Sequence, residues 1–302
     1  MKKNFIISTD SCCDHFKSYL EKNNIYCIVL KRVLNGKEIS DTYDSDEDLD
    51  RFYEELKKGA LPTTTALNPT ELVEHFEQIM KAEPHGDIIH LSLSSGLSVT
   101  CENARKAAET VNQKQQGRRV HIMDSLIGTH GMSMLVDKLI AMRDAGYTTE
   151  KALKKITHIR DHQQGWVIMS DLFHLKRGGR LSGFQAAVGS MLGIKPIICI
   201  NREGKLAAES KMRGAGNAIN HVLSKMEELG AKAGTDFSKS MVYIVRTSKS
   251  QLYDDFIAAA EKKFPGLKYT KRVVGPIIGT HLGGGGMAIL FEGATRLDIK
   301  VK

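Results

Sequence analysis

The stretch "HLSLSSGLSVTCENARKAAE", His90 to Glu109, passes from an apolar strand pattern into a helical one through four serines and one glycine. The start of a helix has N–H groups without intrahelical partners and the positive end of the helix dipole, so it suits carboxylates and phosphates. Gly96 permits a tight turn and close approach of a ligand. Ser94, Ser95 and Ser98 bring hydroxyls that either cap the helix or donate to an anion. The spacing is not that of a GxSxG nucleophile elbow. A second source of hydroxyls, "LPTTTALNPTELVEHF", sets three threonines between two prolines, ahead of a helix that Asn68 and Pro69 start as N-cap and N1. Proline keeps this segment extended, so alternate threonines face opposite ways. Thr64 and its neighbour Thr65 either add donors to an anion site or belong to a solvated loop.

Cationic chemistry enters further along the chain. "HLKRGGRLSG" places Lys176, Arg177 and Arg180 around a Gly-Gly turn, where they serve a phosphate, a carboxylate or an acidic partner, or simply face water. "GPIIGTHLGGGGMAIL" puts His281 at the mouth of a loop of four consecutive glycines, which let chain or ligand approach closely. The loop lacks the GK[ST] ending of a P-loop and is a poor Rossmann fingerprint. Cys12, Cys13 and His15 lack the spacing of a zinc knuckle, so no metal is expected.

The elements that must hold these groups alternate. "NFIISTD", "IYCIVLKRVL", "GDIIHLSLS" and "RRVHIMDS" read as strands, and "LDRFYEELKKGA", "PTELVEHFEQIMKAE", "TCENARKAAETVNQKQ" and "GMSMLVDKLIAMRDAG" as helices, giving an α/β domain with a mostly parallel sheet over residues 1–157. Three strands end in a hydroxyl or acidic residue, in "IISTDS", "IIHLSLSS" and "VHIMDS". In open α/β sheets such ends converge on one crevice where ligands bind. From residue 158 to 302 the style changes to α+β: a helix near "LKRGGRLSGFQAAVGSML", two strands joined by an Arg-Glu-Gly turn, and further helices and strands to "MAILFEG".

Composition bounds the functional class. A chain of 302 residues, 41% hydrophobic and 26% charged, suits two ordinary globular domains. No apolar run is long enough to span a membrane and the N-terminus is unlike a secretion signal, so the expected place is the cytoplasm. The five scattered cysteines fit reduced thiols. A net charge of +8 favours anionic partners, but no nucleic-acid-binding signature accompanies it.

Taken in order, "DSCCD", "PTTT", "LSSGLSVT", "MDSLIGTHG", "LKRGGRLSGFQAAVGSMLGIKPII", "KMRG" and "GPIIGTHLGGG" resemble the motif sequence of the DegV family, from residue 10 to about 290. The resemblance implies a two-domain protein that buries a long-chain fatty acid between and within its domains. It would present the carboxylate to a separate ATP-dependent fatty acid kinase for phosphorylation to the acyl phosphate, with no cofactor of its own and with room for transient membrane contact. By position, Thr64, Thr65, Ser95 and Gly96 would hold the carboxyl group, with His281 beside them. Arg180, His281 and Arg213 would meet the acyl phosphate or the kinase. Departures from the family pattern stand at Ala66, Leu67 and Asn68, at Val99 and Cys101, and at Gly284. The alternative is a hydrolase acting on an acyl ester through Ser95 and His281.

Overall fold

The structure, a computed structural model, describes residues 4–114, 117–170, 172–180 and 193–299. The first half of the chain runs β1 (Phe5–Asp10), α1 (Lys17–Lys22), β2 (Tyr26–Ile28), β3 (Lys31–Leu34), β4 (Lys37–Ser40), α2 (Asp46–Lys57), β5 (Thr63–Thr65), α3 (Pro69–Ala82), β6 (Asp87–Ser92), α4 (Thr100–Lys114), β7 (Val120–Asp124), α5 (His130–Asp144) and α6 (Thr149–Asp161). The second half runs β8 (Gln163–Ile168), α7 (Phe173–Arg177), β9 (Ile194–Ile200), β10 (Leu206–Arg213), α8 (Ala215–Ala233), β11 (Val242–Arg246), α9 (Gln251–Lys263), β12 (Tyr269–Val273), α10 (Pro276–Leu282) and β13 (Met287–Glu292). The helix expected near "LKRGGRLSGFQAAVGSML" is seen only as α7, because residues 181–192 lie outside the described residues.

Two compact units result, one of residues 1–45 and 64–160, the other of residues 46–63 and 161–302. The sequence reading grouped residues 46–63 with the first half. The structure assigns them to the second unit because α2 presses its aromatic face there: a Cβ on Gly279 of α10 would meet the Tyr53 hydroxyl at 2.5 Å, and that hydroxyl donates to the Val274 carbonyl at 2.9 Å.

The first unit is built on a four-stranded parallel sheet in the order β2-β1-β6-β7. Its central strands are buried on both faces, so "FIIS" and "DIIHL" read as apolar runs. One polar chain crosses this core. Ser8 and His90 are cross-strand partners, and the Ser8 hydroxyl joins His90 Nδ1 at 2.9 Å to His75 Nε2 of α3 at 2.8 Å. Helix α3 starts as its sequence predicts, with a reciprocal capping box: Asn68 accepts from the Glu71 N–H at 3.0 Å, and Glu71 accepts from the Asn68 N–H at 3.0 Å. The run "IYCIVLKRVL", expected as one strand, breaks after Ile28. Its second part pairs with β4 around Asn35-Gly36, both at positive φ, as a two-residue hairpin turn requires. A three-stranded sheet, β4-β3-β5, results.

The second unit holds a six-stranded mixed sheet, β10-β9-β8-β13-β11-β12, in which only β11 and β12 run parallel. Helices α8 and α9 bury Val222, Met226 and Phe256 against Trp166, Ile244, Ile289 and Phe291 of the sheet.

Candidate functional site

The three acidic or hydroxyl strand ends of the first unit do meet. The Asp10 carboxylate, at the end of β1, accepts from the Leu93 N–H at 2.7 Å and the Ser92 hydroxyl at 3.3 Å, and on its other oxygen from the Cys12 N–H at 3.1 Å. Full burial still outweighs these donors and pushes its pKa up to about 6. Asp124, at the end of β7, accepts from the Ser95 N–H at 3.2 Å and the Leu126 N–H at 3.0 Å, while Arg105 of α4 reaches its second oxygen at 3.3 Å. Between these two carboxylates lies the turn Ser94 to Val99.

The four serines divide their labour within that turn. Ser92 donates to Asp10, and Ser94, fully buried, accepts from the Gly96 N–H at 3.1 Å. Ser98 accepts from the Thr100 N–H at 3.2 Å and so caps α4. Ser95 is exposed, and its hydroxyl makes no hydrogen bond among the described residues. The helix starts at Thr100, where the sequence pattern begins it, five residues beyond Ser95. The N–H groups of Ser95 and Gly96 are taken up locally, by Asp124 and by the Ser94 hydroxyl.

The threonine segment is extended, with Thr64 half-buried between exposed Thr63 and Thr65, as alternation requires. Thr65 donates weakly to the Lys31 carbonyl at 3.4 Å. The Asn103 side-chain amide, in the first turn of α4, donates to the Leu67 carbonyl at 2.8 Å and so fastens the end of this segment to the helix that follows the serine turn. Ala66 is exposed and Val99 is 64% exposed, whereas Cys101 is fully buried with its thiol pushed up to about 12, chiefly by burial.

In the second unit His281 sits in the last turn of α10, a helix of seven residues in a stretch that reads as loop. Pro276 at its first position pre-sets φ, and Gly283 ends it at positive φ. His281 lies against the α7 end: a Cβ on Gly178 would stand 2.3 Å from its Nδ1. Reciprocally, a Cβ on Gly283 would stand 2.3 Å from His174 Cδ2. Burial, with the charges of Arg180 and Arg177 behind it, lowers the His281 pKa to about 4, so its imidazole is neutral at pH 7. Arg180 is exposed and donates to the Gly178 carbonyl, and Arg177 donates to the Pro62 carbonyl at 2.7 Å. Arg213 stands apart from this turn, at the end of edge strand β10 opposite Ile194. The structure thus groups Arg180 with His281, and Thr64 and Ser95 belong to the first unit. The remaining glycines pack on strand ends: the Gly285 N–H donates to Ser248 at 2.8 Å and the Gly286 N–H to Thr247 at 2.9 Å, an arrangement that closes the loop on its own chain.

What sequence reasoning missed are the two carboxylates that shape the turn, Asp10 and Asp124. The repeated strand-end pattern pointed to their place, and their hydrogen-bonding role became legible only with the turn in view. No histidine donates to or accepts from the Ser95 hydroxyl among the described residues, so the hydrolase reading lacks its base.

A parallel α/β unit with a hydroxyl-lined turn, followed by a unit on a mixed sheet, defines a class of protein known from solved structures. The chain belongs to the DegV family, whose description matches residues 4–294. The DegV domain-containing protein of Caldanaerobacter subterraneus subsp. tengcongensis is 30% identical over 286 residues, covering 95% of this chain and 98% of that one. DegV from Bacillus subtilis, a fatty acid binding protein, is 28% identical with a TM-score of 0.79, over 96% of this chain and 99% of that one. A DegV family protein from Streptococcus agalactiae shares the fold at 22% identity with a TM-score of 0.82, over 97% of this chain and 100% of that one. Among the described residues no helix is long and apolar enough to cross a membrane.

Proposed function

We propose that the chain binds a long-chain fatty acid, holds its carboxyl group with the hydroxyls of Ser95 and Thr64, and presents it to a separate kinase for conversion to the acyl phosphate. The observation that carries this reading is the division of labour in the serine turn: three serines are spent on the fold and Ser95 alone keeps an exposed, unengaged hydroxyl. The whole-length match to the fatty acid binding DegV of Bacillus subtilis supports the ligand class. Hydroxyls suit the task. They satisfy a carboxyl group, whose burial without partners costs about 1–3 kcal/mol, without the fixed charge that would oppose its transfer. Each buried CH₂ contributes about 0.8 kcal/mol, so the acyl chain supplies affinity while the hydroxyls set orientation.

Residues 1–157 take the head group in this reading, with Thr65 and Gly96 shaping its surroundings, and residues 158–302 take the acyl chain. Arg180, His281 and Arg213 face the acyl phosphate or the kinase. The neutral imidazole of His281 leaves the head-group charge uncompensated until the partner arrives.

The test is mass spectrometry of lipid extracted from protein never exposed to delipidation, alongside acyl phosphate formation with ATP and a purified bacterial fatty acid kinase. The expected result is one fatty acid per chain, lost in the Ser95→Ala, Thr64→Val double variant. Arg180→Ala should keep the lipid but fail to support acyl phosphate formation. Protein that never carries an acyl chain would overturn the reading.

A further inference from the structure

The segments that carry Thr64 and Ser95 are both tied to α4, within the first unit. On the threonine side, the Asn103 side-chain amide donates to the Leu67 carbonyl at 2.8 Å. On the serine side, Arg105 reaches one oxygen of Asp124 at 3.3 Å, and the other oxygen accepts from the Ser95 N–H at 3.2 Å. The two ties differ in strength. The Arg105 side chain is 42% exposed and divides itself between Asp124 and Glu102, both at 3.3 Å, so water screens it. Asn103 is half-buried, its bond is shorter, and it serves a group that the ladders do not. Leu67 is buried between the end of β5 at Thr65 and the N-cap of α3 at Asn68, so its carbonyl lies outside both strand and helix. A buried carbonyl in that position needs a donor from a side chain or from water.

Fixing Leu67 confines the threonine before it. Thr64 stands three residues earlier, a reach of at most about 10 Å of extended chain. A carboxyl group has two oxygens, and hydroxyls on two separate segments serve both only within the narrow O–H···O range of about 2.5–3.0 Å. An alcohol of the same chain has a single oxygen and asks less of the spacing.

We propose that Asn103 is a positioning residue for the carboxyl group: by fastening the Leu67 carbonyl to α4 it keeps the Thr64 hydroxyl in register with Ser95, and so sets a preference for the free fatty acid over the alcohol or ester of the same chain. The inference rests on the proposed contact of Ser95 and Thr64 with the carboxyl group. Asn103 itself touches no ligand. Its contribution lies in discrimination rather than in affinity, which the acyl chain supplies whatever the head group.

The test is displacement of a pyrene-labelled fatty acid from the full chain by palmitic acid, hexadecanol and methyl palmitate. It compares the wild type with Asn103→Ala, Asn103→Leu and the Ser95→Ala, Thr64→Val double variant. The wild type should prefer the acid to the alcohol and the ester at least tenfold. Asn103→Ala, at a helical position that favours alanine, should cut that preference at least threefold while hexadecanol binds within twofold of the wild type. Asn103→Leu, which keeps bulk without the donor, should do the same and covers the case in which the alanine variant fails to fold. Equal weakening of acid and alcohol, as a merely structural bond would give, or an unchanged preference in either folded variant would overturn the proposal. A wild type with no preference for the acid, or a double variant that keeps it, would overturn the carboxyl contact and the proposal with it.

Discussion

In the first unit the adjacent strands β1 and β6 bury Ser8, Thr9, Asp10, His90 and Ser92, whereas the central strands of the second unit, β8, β13 and β11, bury Trp166, Ile168, Ile289, Phe291 and Ile244. One sheet spends its strand ends on a side-chain hydrogen-bond network, and the other is apolar along its middle, its buried polar side chains standing at the ends of strands, Gln163 and Gln164 of β8 and Arg246 of β11, with Thr247, Ser248 and Ser170 beyond them. The lesson lies in how each can respond. Apolar packing is insensitive to pH, while buried ionisable groups tie stability to protonation.

Removing bulk from the apolar slab should have the largest effect. Phe256→Ala is expected to cost about 3–5 kcal/mol, read by denaturant unfolding with hydrogen exchange on β11 and β13. Exchange on β1 and β6 that changed as much would break the distinction between the units. Gly283→Ala should follow at about 2–3 kcal/mol, because it combines a positive φ with a clash against His174, and the same exchange measurement on β13 and α10 checks it.

The polar sheet should show its character in pH dependence. Burial lowers His75 to about 4 and His90 to about 3, so the unfolded chain takes up their protons first and their contribution is lost as pH falls below 6.5. Asp10 and Asp41 run the other way: raised to about 6 and about 8, they hold protons the unfolded chain has released, so their contribution is lost as pH rises. The two pairs oppose each other below pH 6.5. Between 6.5 and 8 Asp41 acts alone, and stability of the first unit should fall by about 1–2 kcal/mol over that interval, with at most one proton at 1.36 kcal/mol per unit. Asp41→Asn should flatten that slope and uncover the loss below pH 6.5. A wild-type curve that rises between 6.5 and 8 would remove the argument.

Smaller effects should sharpen the account of the turn. Ser98→Ala, which removes the cap of α4, is expected to cost about 1 kcal/mol, while Ser95→Ala should leave unfolding almost unchanged, within about 0.5 kcal/mol. Paired melts of the two variants check this, and an equal loss in both would mean that Ser95 too is spent on the fold.

Much of this was legible in the sequence where a local rule acts alone. Asn68, Pro69 and Glu71 announce the start of α3, and the strand ends at Asp10, Ser92 and Asp124 announce a shared edge. Where the cause is distant, the sequence was silent. Helix α10 has seven residues with a glycine inside, too short to show a helical period, and it exists because Phe52 and Tyr53 pack on it. Nothing near residues 46–63 in the sequence says that they belong with residues more than two hundred positions later. The burial of Asp41 was equally hidden, since an aspartate in "EISDTYD" looks like an ordinary surface residue until the walls around it are known.

The facing arrangement of Gly178 with His281 and Gly283 with His174 ties the fates of four positions far apart in the chain. A lineage that enlarges either glycine must shrink the imidazole opposite, and a lineage that replaces a histidine releases the glycine to drift. Among relatives these residues should therefore change as couples, so that the sequences themselves keep a readable record of which members still rely on His281.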